Sequence, residues 1–281
     1  MKICTTVKEM HAAAHAARRE GKRIGFVPTM GALHEGHLSL VRAAKAQSDT
    51  VVVSIFVNPV QFGPNEDLNR YPRPFERDRQ LLENEGVDFL FAPSAEEMYP
   101  AGAITYVTVE GLSEKLCGKS RPRHFRGVTT VVAKLFHIIE PDLACFGQKD
   151  AAQAAIIRRM VRDLHLPVEI VVCPIVREPD GLAMSSRNAY LDPQQRRSAL
   201  VLSRSLGRVV EVFGKGERNS DRLIEVGKQV FEDEPSVRLD YFEIVDPETL
   251  EPVVTVRGAA LVAVAAFAGT TRLIDNTVLQ P

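Results

Sequence analysis

Between Arg23 and Cys173, short apolar runs rich in β-branched residues alternate with segments whose apolar positions recur every three or four residues. The runs 24–27, 51–57, 89–91, 143–146 and 168–173 predict buried strands. The segments 37–47, 75–85, 128–139 and 150–164 predict amphipathic helices, because their apolar side chains fall on one helical face. Strand and helix in alternation predict a parallel sheet covered on both faces. After Arg177 the rhythm changes: helical stretches near 193–213 and 221–231 precede short strands near 237–245, 253–256, 259–267 and 272–275. The pattern therefore predicts an α/β chain with a parallel-sheet domain over residues 1–175 and a smaller α+β domain over 176–281.

A length of 281 residues agrees with two domains, since a single core rarely keeps growing past that size. Lys plus Arg, at 35, nearly cancels Asp plus Glu, at 36, so the chain offers no global field to nucleic acid or to an anionic membrane. Any phosphate site must be built locally. The cysteines Cys4, Cys117, Cys145 and Cys173 form no C-x-x-C pair, which predicts reduced thiols rather than a metal or disulfide framework. The apolar run 259–268 is half the length of a membrane span, and the Ala-rich start is broken by His11, His15, Arg18 and Arg19. A cytoplasmic protein is the expectation, with no membrane or nucleic-acid partner.

In open parallel sheets ligands bind beyond the carboxyl ends of the strands, so the segments following each strand are where chemistry is sought. The first such segment reads Pro28-Thr29-Met30-Gly31-Ala32-Leu33-His34-Glu35-Gly36-His37. Pro28 is expected to stop ladder pairing, the glycines admit close approach, and the following helix offers free N–H groups to an anion. His34 and His37, three residues apart, can face one point. The competing reading is a pair of helix-start histidines satisfied by nearby carbonyls. A zinc helix is set aside, because it needs histidines four apart.

The next strand runs into Asn58-Pro59-Val60-Gln61-Phe62, where the Gln61 carboxamide can recognise a hydroxyl and a carboxylate, or can simply be a solvated loop glutamine. A later one ends in Gly147-Gln148-Lys149-Asp150, where Lys149 can reach phosphates and Asp150 can cap the following helix; Gln153 lies in the first turn of that helix. Beyond Val176 comes Met184-Ser185-Ser186-Arg187-Asn188, two hydroxyls and a guanidinium that can clamp phosphate, although such a run is also an ordinary turn.

Taken together, these segments resemble the pantothenate synthetases, a likeness that extends to Tyr71-Pro72-Arg73, Arg121-Pro122, His124-Phe125, Arg126-Gly127 and Arg272-Leu273-Ile274-Asp275-Asn276. The His-x-Gly-His element alone marks only the wider nucleotidyltransferase superfamily; its combination with Asn58–Phe62 and Met184–Asn188 is far more specific. The resemblance implies a Rossmann-like N-terminal domain, a C-terminal lid and a homodimer. It implies ATP beside Met30, Gly31, Ala32, Leu33, His34, Glu35, Gly36, His37, Gly147, Gln148, Lys149, Asp150, Val176, Met184, Ser185, Ser186 and Arg187. Gln61 and Gln153 would hold (R)-pantoate, with Gln61 also near β-alanine, and His37 would be the catalytic proton donor. Mg²⁺ would accompany the triphosphate, with Asp78 and Lys149 nearby.

One departure is visible: Ala151 and Ala152 stand where the family commonly has an aromatic residue and a second glutamine. The reaction so implied is attack of pantoate on the α-phosphorus of ATP, then transfer of the acyl group to β-alanine, with His34, His37, Lys149, Ser185, Ser186 and Arg187 stabilising phosphate charge. Two rivals share parts of the pattern. One is a nucleotidyltransferase that leaves AMP on its product, the other an RNA-binding module.

Overall fold

The strands predicted from the apolar runs are present and all run parallel. In the computed structural model, which describes residues 1–64 and 66–281, they are β2 (Ile24–Thr29), β3 (Thr50–Ile55), β4 (Phe89–Phe91), β5 (Leu143–Gly147) and β6 (Glu169–Cys173), joined at one edge by a further strand, β1 (Lys2–Cys4). Their order across the sheet is β1-β4-β3-β2-β5-β6. Every pairing in it is parallel. The edge strand β1 is an addition to the sequence reading. It holds three residues, too few to carry a period, and it pairs Ile3 with Leu90.

The order reverses between β2 and β5: from β2 the chain moves outward to β3 and β4, then returns to lay β5 on the other side. That reversal opens a crevice at the carboxyl ends of these two strands. Successive side chains of β2 point to opposite faces. Phe26 meets Phe136 of the helix His124–Ile139, with ring centroids 6.3 Å apart. Val27 packs with Leu40, Val41 and Ala44 of the helix Glu35–Lys45. Both faces of the sheet are thus covered, which is why its strands read as unbroken apolar runs.

Pro28 does not end the strand. The β2–β3 register continues through Pro28↔Ser54 to Thr29↔Ile55, whereas the β2–β5 register stops at Phe26↔Ala144. The hydrogen bonds explain the asymmetry. The Ile24 carbonyl accepts from Asp142 on the β5 side, and the Thr29 carbonyl accepts from Phe56 on the β3 side. Even-numbered residues of β2 therefore turn their amides toward β5, and only that ladder lacks the Pro28 N–H.

By contacts the chain divides into two units. The first comprises Met1–Ser113, Arg121–Gly147 and Ile156–Pro174; the second comprises Glu114–Ser120, Gln148–Ala155 and Ile175–Pro281. The second unit thus takes in Glu114–Ser120 and Gln148–Ala155 as well as the chain after Pro174. Its sheet is antiparallel, in the order β7 (Val237–Val245), β8 (Ala260–Ala268), β9 (Thr271–Leu279). The helices Val201–Gly214 and Ser220–Glu232 pack on it through Leu206, Val209, Leu223 and Phe231. The strand expected at 253–256 does not form. Within that segment Thr255 makes only an isolated bridge to Asn219, and Pro252 just before it makes one to Val245.

Among the described residues, no helix is long and apolar enough to cross a membrane. All four cysteines are buried and unbridged.

Candidate active site

The turn after β2 is built by a residue from elsewhere in the chain. Gly31 and Ala32 both adopt left-handed backbone, with φ of 81° and 52°. Ala32 is strained there, because its Cβ crowds the backbone. Asp78, 1% exposed and on the helix Phe75–Asn84, compensates the turn. Its two carboxylate oxygens accept the amide hydrogens of Ala32 and Leu33 at 2.7 and 2.9 Å. Burial pushes the Asp78 carboxyl above the ordinary aspartate value, against the pull of these two donors. A side chain on Gly31 would come within 3.1 Å of Asp78 Oδ2 and of Ile55.

The contacts of Asp78 are therefore those of a turn-holding residue. Among the described residues, no group of three or more His, Cys, Asp or Glu side chains is arranged to hold a metal ion.

The turn delivers His34 in extended backbone to the start of the helix Glu35–Lys45. His34 N–H donates to His37 Nδ1 at 3.3 Å, and the two imidazole centroids are 4.1 Å apart. A ring nitrogen that accepts a backbone N–H carries no proton, so the His37 proton resides on Nε2. The sequence spacing did bring the two rings together.

Gln61 is buried rather than solvated. Asn58 Nδ2 donates to Gln61 Oε1 at 3.1 Å and to the Gly127 carbonyl at 3.0 Å, and Gln61 Nε2 lies 3.0 Å from Met30 Sδ. Gly127 admits this closeness: a Cβ there would lie 2.6–2.7 Å from the Gln61 Cα and N and the Val60 carbonyl carbon. Within the first unit, then, Met30, His34, His37 and Gln61 are tied to one another or to shared neighbours.

In the second unit, two neighbouring residues of β9 organise the remaining candidates. Asn276 Nδ2 donates to the carbonyls of both Gln148 and Lys149 at 2.9 Å, and its Oδ1 accepts from Gln148 Nε2 at 2.9 Å. Asp275, 2% exposed, accepts both terminal nitrogens of Arg177 at 2.7 and 3.0 Å. Arg177 also donates to the Gly181 carbonyl at 3.0 Å. It thereby braces a small hairpin in which Met184 N–H donates to the Val176 carbonyl at 3.0 Å. Ser185 caps the 3₁₀ turn Ser186–Tyr190, its Oγ accepting from Arg187 N at 3.2 Å, and Asn188 Nδ2 donates to the Ala183 carbonyl at 3.1 Å. Lys149 and Gln153 are half-buried, and Lys149 Nζ is 3.7 Å from Asp150 Oδ2.

Asn58, Gly127, Asp275 and Asn276 carry no direct role in the sequence reading beyond membership of quoted motifs. The signal that could have found Gly127 is a glycine inside a helical period, where it costs stability unless packing requires it.

Comparison with known proteins identifies the family. The family model described as pantoate-beta-alanine ligase matches residues 2–278. The pantothenate synthetase of Koribacter versatilis is 62% identical over 280 residues, covering 100% of this chain and 96% of that protein. That of Acidobacterium capsulatum is 61% identical, covering 99% of this chain and 97% of that protein. A crystal structure of pantothenate synthetase from Thermus thermophilus superposes with a TM-score of 0.96 at 50% identity, covering 100% of each chain. The ligase from Francisella tularensis, in complex with beta-gamma ATP and beta-alanine, superposes with a TM-score of 0.79 at 35% identity, covering 99% of this chain and 97% of that one. With a family model spanning all but its first residue and last three, and relatives aligned end to end, the chain belongs to the pantoate-beta-alanine ligase family.

Proposed function

We propose that this chain joins (R)-pantoate to β-alanine in two steps driven by ATP, forming pantothenate, AMP and pyrophosphate. A carboxylate oxygen of pantoate attacks the α-phosphorus, and the bond from that phosphorus to the bridging oxygen breaks, with its electron pair leaving on pyrophosphate. The amine of β-alanine then attacks the carbonyl carbon of the pantoyl adenylate. The carbonyl–oxygen bond to AMP breaks, and the nitrogen gives up a proton. No bond to the enzyme is needed at either step.

The observation that carries the residue assignment is the Asp78-held turn, with its paired imidazoles, at the reversal in strand order. In this reading Met30 to His37 border the nucleotide, and His37 Nε2–H donates to the phosphate oxygens as negative charge shifts toward pyrophosphate. His34, Lys149, Ser185, Ser186 and Arg187 supply the other donors. Glu35, Gly147, Gln148, Asp150, Val176 and Met184 shape the nucleotide's surroundings. Gln61 and Gln153 hold pantoate, and Gln61 extends to β-alanine. Mg²⁺ enters with ATP as part of the substrate. Such an ion takes most of its oxygen ligands from phosphates and water, which suits a site where the buried Asp78 carboxylate already accepts two amides. The segment after Pro174 acts as a lid that limits loss of the adenylate to water, and the working form is a cytoplasmic homodimer.

Pantoate-dependent exchange of labelled pyrophosphate into ATP, without β-alanine, tests the first step. Addition of β-alanine should then release AMP and pantothenate. Exchange with no amide product would favour an adenylyltransferase, and neither activity in folded protein with Mg²⁺ would overturn the assignment.

A further inference from the structure

Behind Gln61 lies a chain of polar contacts that the reaction itself does not use. Arg121 spans Glu66 and His124: its Nε and one terminal nitrogen donate to the two Glu66 carboxylate oxygens at 2.8 and 2.5 Å, and its other terminal nitrogen lies 3.0 Å from His124 Nε2. His124 Nδ1 lies 2.9 Å from the Gln61 carbonyl oxygen. His124 opens the helix His124–Ile139, and the preceding Arg123, in left-handed backbone at φ 69°, sets the turn that brings the ring back onto Gln61.

The chemistry of the partners fixes the protons along this path. A guanidinium can only donate, so His124 Nε2 must accept. A backbone carbonyl can only accept, so His124 Nδ1 must carry the proton. Both conditions hold in one species, the neutral imidazole protonated on Nδ1. An imidazolium would place an N–H against the guanidinium, and the other neutral tautomer would lose both contacts. Glu66 orients Arg121 by a bidentate grip, and Arg121 in turn selects the tautomer. Gly127, one turn along the same helix, brings Gln61 within backbone contact of that helix.

We infer that His124 is a positioning residue for pantoate, held by Arg121 and Glu66 as the Nδ1–H tautomer so that it fixes the Gln61 backbone and aims its carboxamide. This rests on the assignment of Gln61 to pantoate. Substitution of His124 is accordingly a substrate-selective lesion. Losing one fixed hydrogen bond to the Gln61 carbonyl should raise the KM for pantoate by about tenfold and leave the KM for ATP within about twofold.

The test compares His124→Ala, His124→Gln and His124→Asn with Gln61→Ala, all at saturating ATP and β-alanine. An Asn carboxamide nitrogen overlays Nδ1 and can still donate to Gln61. A Gln amide reaches only the Nε2 position. His124→Asn should therefore recover most of the pantoate affinity that His124→Ala and His124→Gln both lose, an order that side-chain size alone would not give. Normal pantoate KM in folded His124→Ala and His124→Gln, beside a raised one in Gln61→Ala, would overturn this inference and leave the assignment of Gln61 standing. Normal pantoate KM in Gln61→Ala would remove that assignment and this inference with it. The unmodified protein gives a second readout without any variant: long-range ¹H–¹⁵N correlation of the His124 ring near neutral pH should find Nδ1 protonated and Nε2 bare. A proton on Nε2 would sink the proposed lock.

Discussion

Asp275 receives both terminal nitrogens of Arg177, at 2.7 and 3.0 Å, across 98 residues of chain. Asp275 is 2% exposed, and its carboxylate also accepts its neighbour's amide, Asn276 N–H, at 2.8 Å. The pair braces the hairpin that leads to Ser185 and Arg187. Asp275→Ala would leave a guanidinium one-third exposed and without this partner. Thermal or urea unfolding should report a loss of about 2–4 kcal/mol. If the hairpin presents the phosphate clamp, the KM for ATP should also rise. A stable variant with unchanged ATP dependence would detach the hairpin from nucleotide binding.

Asn276 does for the Lys149 segment what Asp275 does for the hairpin. It gives two hydrogens to consecutive carbonyls, of Gln148 and Lys149, and takes one back from the Gln148 side chain. Asn276→Ala should cost about 1–3 kcal/mol and slow pyrophosphate exchange by about tenfold, since Lys149 loses its fixed backbone. Asn276→Asp should be worse than Ala. It replaces a donor by an anion facing two carbonyl oxygens, and equal rates for the two variants would argue that only side-chain volume matters here.

His37 accepts the His34 amide on Nδ1 and so keeps its proton on Nε2. If that proton reaches the phosphates only as charge develops, His37→Ala should lower turnover by about 100- to 1000-fold with little change in substrate affinity. Circular dichroism would establish the native fold. A near-normal turnover number would remove His37 from the chemistry.

These relationships mark where the sequence was readable. The parallel strands were legible because both faces of the sheet are covered, which leaves continuous apolar runs such as 51–53. The paired imidazoles were legible because a three-residue spacing is local. The helix Val7–Arg19 was missed, although its signal is local too: Thr6 and Glu9 form a capping box. The attachments of Asp78, Asp275 and Asn276 were not legible in the same way. They join residues 45 to 128 positions apart, and no periodicity encodes such a pairing. The run 253–256 has strand composition, yet no neighbouring strand takes up its ladder, so propensity there yields to context.

Gly127 is the clearest case of a helix residue chosen for what it lacks. Glycine inside a helix costs about 1 kcal/mol against alanine, so Gly127→Ala would be stabilising on propensity alone. Here the added Cβ would fall 2.6–2.7 Å from the backbone of Val60 and Gln61, which cannot swing aside as a flexible side chain can. The expected outcome is the reverse: a net loss of about 1–3 kcal/mol, with a raised KM for pantoate as Gln61 is displaced. A melting temperature equal to or above that of the unaltered protein would refute the close approach.

The Glu66–Arg121 pair gives the first unit a specific response to acid. Burial pushes the Glu66 carboxyl up, but the Arg121 guanidinium, through its hydrogen bonds and its charge, outweighs this with help from the Gly63 amide and holds it below the ordinary glutamate range. A carboxyl with a depressed value in the folded state binds its proton more readily when unfolded. Its stabilisation is therefore complete above the unfolded value of about 4.3 and is lost as pH falls through the lower folded value. Glu66→Gln keeps the shape and removes the charge. It should cost about 1–2 kcal/mol near neutral pH, a figure kept small because both side chains retain some solvent contact. Urea titrations of the two proteins should begin to converge as pH falls below the unfolded value of about 4.3 and should meet only below the lower folded value, where the unaltered carboxyl is as neutral as the amide. A gap that stays constant across this range would assign the effect of Glu66→Gln to packing and not to the ion pair.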